Sequence, residues 1–174
     1  VYGGELSLTT NLTSLTRRSQ DAYALGTSNR FPGLEGTYTR LTTEAEWKRT
    51  YTFDSGVQLT PLGALRGDVF STDMATQGLT YGSSIDDNAA FRGMATLGLE
   101  ARYPILFTAQ NSSHVIEPIA QVFLRPDEQF AGRLPNEDSQ AFVFDATTLF
   151  ERDKFTGFDR VEGGTRANLG FRYN

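Results

Sequence analysis

Phe91-Arg-Gly-Met-Ala-Thr-Leu-Gly-Leu-Glu-Ala-Arg-Tyr-Pro-Ile-Leu-Phe107 decides how the rest of the chain is read. Its odd positions, Phe91, Gly93, Ala95, Leu97, Leu99, Ala101, Tyr103, Ile105 and Phe107, form an unbroken row of apolar or small residues. Arg92, Thr96, Glu100 and Arg102 stand between them. Successive side chains of a strand point to opposite faces, so this period of two marks a strand with one greasy and one polar side. Strands of soluble proteins usually run about five or six residues. A stretch this long, with charges along its polar row, reads instead as a strand that crosses a membrane and lines a wet interior.

Working outward, five more segments alternate in the same way. Near the start, Leu6, Leu8 and Leu12 oppose Glu5, Ser7, Thr9 and Asn11. From 36 to 53, Leu41, Ala45, Trp47, Tyr51 and Phe53 oppose Arg40, Thr42, Glu44, Glu46 and Lys48. In 57–71, Val57, Leu59, Leu65 and Val69 oppose Gln58, Thr60, Arg66 and Asp68. Ile116, Ala120, Val122 and Leu124 then oppose Glu117, Gln121 and Arg125. In the last, Val161, Ala167, Leu169, Phe171 and Tyr173 oppose Glu162, Arg166, Asn168 and Arg172. Aromatic residues gather near strand ends (Tyr2, Trp47, Tyr51, Phe53, Tyr103, Phe107, Phe171, Tyr173), where membrane barrels carry their girdles.

Connections supply an independent argument. They alternate long (14–35), short (54–56), long (72–90), short (108–113) and long (126–158), as in an up-and-down membrane barrel with short periplasmic turns and longer exterior loops. The fold expected is therefore all-β: an antiparallel up-and-down transmembrane β-barrel. The smallest common transmembrane barrel has about eight strands. Six leave two bare edges, so residues 1–174 are expected to be part of one outer-membrane β-barrel domain whose wall is larger.

Composition narrows the function classes. The net charge of −5 disfavours a nucleic-acid surface, and the chain has no cysteine for disulfide, thiol or Cys-based zinc chemistry. No apolar run reaches the ~18 residues of a membrane helix. The single histidine, His114, lies beside a short turn, Ser139 next to Asp138 has no nearby base, and no Gly-x-Ser-x-Gly elbow occurs. No enzyme, cofactor or metal site is expected. A calcium loop of Asp-x-Asp-x-Asp-Gly type is missing, although residues 126–158 hold seven acids against three bases.

That acidic stretch is too patterned for an ordinary loop. It runs through Asn136-Glu137-Asp138-Ser139, Phe144-Asp145 followed by Leu149-Phe150, and Gly157-Phe-Asp159-Arg160-Val-Glu162. Together with Arg102-Tyr-Pro104 and Glu117-Pro118, it resembles the LptD (OstA) family of lipopolysaccharide-assembly proteins in the Gram-negative outer membrane. The resemblance covers most of the second half, while residues 1–80 match in barrel character only. Thr148 departs from it, since many family members carry Asn before Leu-Phe.

The resemblance implies a translocon that inserts lipopolysaccharide into the outer leaflet through a lateral opening. Its implied partners are lipopolysaccharide, a plug lipoprotein (LptE-like), periplasmic bridge components and outer-membrane lipid. A porin-like passive channel is the alternative, sharing every feature except the 134–166 pattern. Under the translocon reading Glu44, Glu46, Lys48, Arg66, Glu100, Arg102, Glu162 and Arg166 line the lumen towards cargo. The competing role for each is to pair with neighbouring strands. Asp159, Arg160 and Glu162 are expected to tie down the long loop, which lies outside the cell or folds into the lumen. Pro61, Pro104 and Pro118 cannot donate to a ladder, so a band of weakened pairing or bulges is expected near the periplasmic rim.

Overall fold

In the computed structural model, residues 3–19, 21–25, 28–33, 35–74, 89–130, 134–143, 145 and 148–174 are described. The strands are β1 (Glu5–Arg17), β2 (Asp21–Leu25), β3 (Ser28–Gly33), β4 (Gly36–Lys48), β5 (Tyr51–Thr52), β6 (Gln58–Met74), β7 (Ala89–Arg102), β8 (Ile105–Ala109), β9 (Ser112–Leu124) and β10 (Arg166–Tyr173). The main sheet runs β1-β4-β6-β7-β9-β10, every pair antiparallel, as six strands of a half-barrel wall. β5 continues β4 along β6, and β8 continues β7 along β9. A separate hairpin, β2–β3, occupies part of the 14–35 connection, and β1 reaches four residues into that connection, to Arg17.

The register places like with like. Leu12, Leu41, Val69 and Phe91 pair in one row across four strands, and Leu59, Ala101, Ala120 and Leu169 in another. These rows form the outward face, and its large apolar side chains stand open, Leu169 to 80% and Leu8 to 72%. On the opposite face the sides of Arg40, Arg92, Thr42 and Asp68 have no exposure at all. The usual distribution of a soluble sheet is inverted, as it must be where lipid is the solvent on one side. On β6 the outward apolar row runs from Leu59 to Val69, about the length needed to cross the hydrocarbon layer. Beyond it, hydroxyl pairs take over on β1 and β4: Ser14 with Thr39 at 3.0 Å and Thr16 with Thr37 at 3.2 Å. The greasy band stops there.

The prolines act by gaps rather than bulges. Pro61 faces the break between β4 and β5, where Arg49 N–H donates to its carbonyl at 3.2 Å. Tyr103-Pro104 separates β7 from β8 opposite Pro118, whose carbonyl accepts from Tyr103 N–H at 3.1 Å. Register is unchanged across both gaps (Lys48↔Leu62 then Tyr51↔Leu59; Arg102↔Ile119 then Ile105↔Ile116), so the expected weakening is present and the expected bulges are not.

The last segment needs correction. The strand begins at Arg166, not near 161, and Val161 lies buried at 6% exposure instead of facing outward with Ala167. The described residues of 125–165 leave the wall and fold back over its polar face. Of the expected aromatic girdle, Trp47, Tyr51, Phe53, Tyr103, Phe107, Phe171 and Tyr173 all lie on β-strands or beside them, whereas Tyr2 lies outside the described residues.

Candidate functional site

The polar face carries two carboxylate centres, each built from distant parts of the chain. The first belongs to the sheet. Thr42, Asp68 and Arg92 are register partners on β4, β6 and β7. Asp68 accepts from Thr42 at 2.5 Å, from Arg66 at 3.0 Å and from Arg92 at 2.8 Å. A carboxylate satisfied by two guanidinium groups is stable in a buried place that an unpaired one would not tolerate.

The second belongs to the returning segment. Asn136 folds 136–139 into a tight turn, its side chain accepting from Ser139 N–H at 3.0 Å and donating to Ser139 carbonyl at 2.8 Å. That turn aims the N–H groups of Glu137 and Asp138 at the Asp159 carboxylate, at 2.6 and 3.0 Å. Reciprocally, the Asp138 carboxylate accepts from the N–H of Phe158 at 3.1 Å and of Asp159 at 2.9 Å. Ser139 Oγ donates to Asp138 at 3.1 Å and accepts from Arg160 N–H at 3.0 Å. Gly157 makes the approach possible: its φ is +65°, and a Cβ there would lie 2.5 Å from the Asp138 carbonyl oxygen.

Sheet and segment meet at Arg40. Its guanidinium donates to Asp159, to Asp138 at 2.9 Å and to Asn11 at 3.0 Å, while Tyr38 O–H also donates to Asp159. Phe158 is held against two cations, with Arg40 5.5 Å and Arg66 5.7 Å from its ring centre. Arg92 extends the connection, donating to Glu128 at 2.9 Å and to the carbonyls of Asp159 at 2.7 Å and Phe158 at 3.0 Å. Burial alone would raise the Asp138 carboxyl. The hydrogen bonds from Arg40 and the two backbone N–H groups outweigh it and hold the group well below the usual carboxylate range.

Each lumen candidate has an intramolecular partner. Glu44 and Glu46 both pair with Arg152, the latter at 3.1 Å. Arg66 joins Asp68, and Glu100 accepts from Arg102 at 2.5 Å and from Gln121. Lys48 has a long, exposed pairing with Glu5 at 3.6 Å. Glu162 is off the strands, between Arg125 at 3.3 Å and Arg166 at 2.5 Å, and Arg166 also donates to the carbonyls of Glu151 and Arg152. Of the loop residues, Asp159 makes the expected tie, Arg160 contributes its backbone N–H, and Glu162 anchors the end. Asp145 accepts from Thr148 N–H at 3.0 Å, and Leu149 and Phe150 pack over Gly170. Phe144 lies outside the described residues.

Sequence reading passed over Tyr38, Arg40, Asp68 and Arg92 as site residues. Arg40, Asp68 and Arg92 were visible on polar rows, and the available signal was Asp68 opposite Arg92 with Arg40 two residues away along the neighbouring strand. Residue 38 gave none, because a tyrosine on the wet row looks like ordinary lining.

An antiparallel wall with an apolar outer face, and an inner face whose charges are engaged by its own connecting segment, defines a transmembrane β-barrel protein of the outer membrane. Comparison with curated proteins gives no match. The family model LptD, LPS transport system D, matches residues 1–174, the whole chain, and the chain belongs to that family. The work of that family is lipopolysaccharide transport and assembly at the outer membrane.

Proposed function

We propose that this chain forms part of the wall of a translocon that inserts lipopolysaccharide into the outer leaflet, working with a plug lipoprotein of LptE type and the periplasmic bridge components. Residues 1–174 then belong to one barrel domain, closed by further strands. The observation that carries the reading is the reciprocal Asp138–Asp159 clamp on Arg40, formed from the residues that carry the family resemblance. A porin-like channel needs a wet lumen but has no use for that pattern. In this reading Arg66, Glu44, Glu46, Glu162 and Arg166 hold the segment in the lumen, and Lys48, Glu100 and Arg102 are left towards the cargo path.

The test is site-specific photo-crosslinking in cells from Glu100 and Arg166 of the full-length protein. Adducts with lipopolysaccharide from Glu100 are expected, while outward Leu169 gives none with the saccharide. Protein adducts without any lipopolysaccharide adduct at inward positions would refute cargo passage along this wall.

A further inference from the structure

The outward face is apolar or small along most of its length, and its charges stand at its two ends. Among the described residues of the outward rows, two are charged: Arg49 towards the short turns and Asp73 towards the long connections. Register is continuous from Lys48↔Leu62 to Tyr51↔Leu59, so position 49 falls opposite Pro61, in line with Trp47 and Tyr51. The backbone is held there by the Arg49 N–H, which donates to the Pro61 carbonyl at 3.2 Å. The Arg49 guanidinium lies 4.6 Å from the centre of the Tyr51 ring. Two glycines ahead of β1 make room for this arrangement. A Cβ at Gly3, whose φ is +73°, would stand 2.9 Å from the Arg49 guanidinium carbon. One at Gly4 would stand 2.5 Å from the Trp47 indole nitrogen. One row further into the greasy band, Gly63 sits between Trp47 and Leu97 with open space where a side chain would stand. A cation flanked by two amphipathic aromatics therefore adjoins a notch in the apolar surface.

We infer that this corner of the outer wall binds an anionic glycerophospholipid of the inner leaflet, its phosphodiester on Arg49 and an acyl chain in the Gly63 notch. An arginine on a lipid-facing row is expensive at mid-membrane and costs little near the interface, where headgroups lie. The short turns put Arg49 on the periplasmic side, whose leaflet is phospholipid. A guanidinium offers a planar fork that two phosphate oxygens accept, and stacking on Tyr51 fixes the plane of that fork. Trp47 and Tyr51 present an apolar body to the chains and a polar edge to the headgroup. A net negative lipid is preferred to a zwitterionic one. Among the described residues of the outward rows the one carboxylate, Asp73, is at the far end, so an ammonium headgroup finds no partner beside Arg49. Inorganic phosphate would bring no chain for the notch. The inference rests on the two faces of the wall and its orientation, and is independent of the transport reading.

The experiment is native mass spectrometry of the full-length protein with its partners, released from micelles holding equal amounts of phosphatidylglycerol and phosphatidylethanolamine. The parent protein is expected to retain phosphatidylglycerol preferentially. Arg49→Gln is expected to lower that retention about fivefold, the effect of one basic side chain at an anionic surface. Gly63→Leu fills the notch without touching the cation and is expected to lower retention of both lipids. Arg18→Gln, which removes an exposed charge just beyond the far end of β1, is the control and should leave retention unchanged. Should Arg49→Gln fail to fold, Gly63→Leu carries the test, since nothing lies within 4 Å of the added Cβ. Unchanged retention in either variant, or an equal loss in Arg18→Gln, overturns the inference. A photo-crosslinker at Tyr51 in cells is expected to give phospholipid adducts. Lipopolysaccharide adducts there would place Arg49 in the other leaflet and overturn the inference as well.

Discussion

Replacing Asp159 separates the clamp from every simpler account of the long segment. Its carboxylate has no exposure and accepts from four donors: Tyr38 O–H, an Arg40 N–H, and the backbone N–H groups of Glu137 and Asp138. Asp159→Ala removes the acceptor and leaves Arg40 buried. Breaking a buried pair by deleting one partner costs about 3–5 kcal/mol. Arg40 retains Asp138 at 2.9 Å and Asn11 at 3.0 Å, which argues for the lower end, about 3 kcal/mol. At roughly 1.4 kcal/mol per factor of ten, opening of 134–165 becomes more frequent by about 150-fold. Asp159→Asn should rescue little. All four neighbours are donors, so whichever way the amide turns its NH₂ must face some of them. The assay is hydrogen exchange by mass spectrometry on the full-length protein, comparing peptides from 134–165 with peptides from β6 and β7. The expected result is rapid exchange in the segment with the sheet still protected. Less than a threefold change in the segment, or an Asn variant that behaves like the parent, would refute the reasoning.

Other outcomes follow from the same contacts. The Asp138 carboxyl is held below its ordinary range, so its contribution is fully present above the unfolded value near 4 and is lost as pH falls through the lower folded value. Protection of 134–165 should accordingly hold through pH 5 and decline only below about pH 4, and opening already at pH 6 would contradict it. Gly157→Ala combines a positive φ of +65° with a Cβ 2.5 Å from the Asp138 carbonyl, and is expected to raise protease cleavage within 134–165 by a cost of about 1–3 kcal/mol; an unchanged cleavage rate would count against the clamp. Leu97→Arg on the outward face should destabilise the folded barrel by about 2–4 kcal/mol in urea titrations in lipid vesicles. Arg in place of Thr96, on the inward face, should not give that lipid-depth penalty, and equal effects at 96 and 97 would defeat the assignment of faces.

How far the sequence could be read depended on whether a feature was local. The outward face was legible because alternation is imposed residue by residue, as Leu65, Val69, Phe91 and Leu97 show. The proline gaps at 49–50 and 103–104 were legible because a missing N–H is a property of one residue, whereas the preserved register across them depended on the neighbouring strand. Val161 was misplaced because alternation continued in the sequence past the point where hydrogen bonding to β9 stopped, at Phe123↔Arg166. The lumen candidates were placed on a polar row without any means of knowing their partners. Glu44 and Glu46 meet Arg152 from the segment, and Glu162 proved to be no strand residue.

By itself the sequence determined an antiparallel wall with lipid on one side and charge on the other, because a strand cannot repeat greasy residues at every second position without committing one whole face. Only the tertiary structure decided that the described residues of 125–165 turn inward and bind that charged face. Arg40 and Asp159 are 119 positions apart, and what joins them is a desolvated carboxylate in need of donors that the wall and the two halves of the segment supply only together.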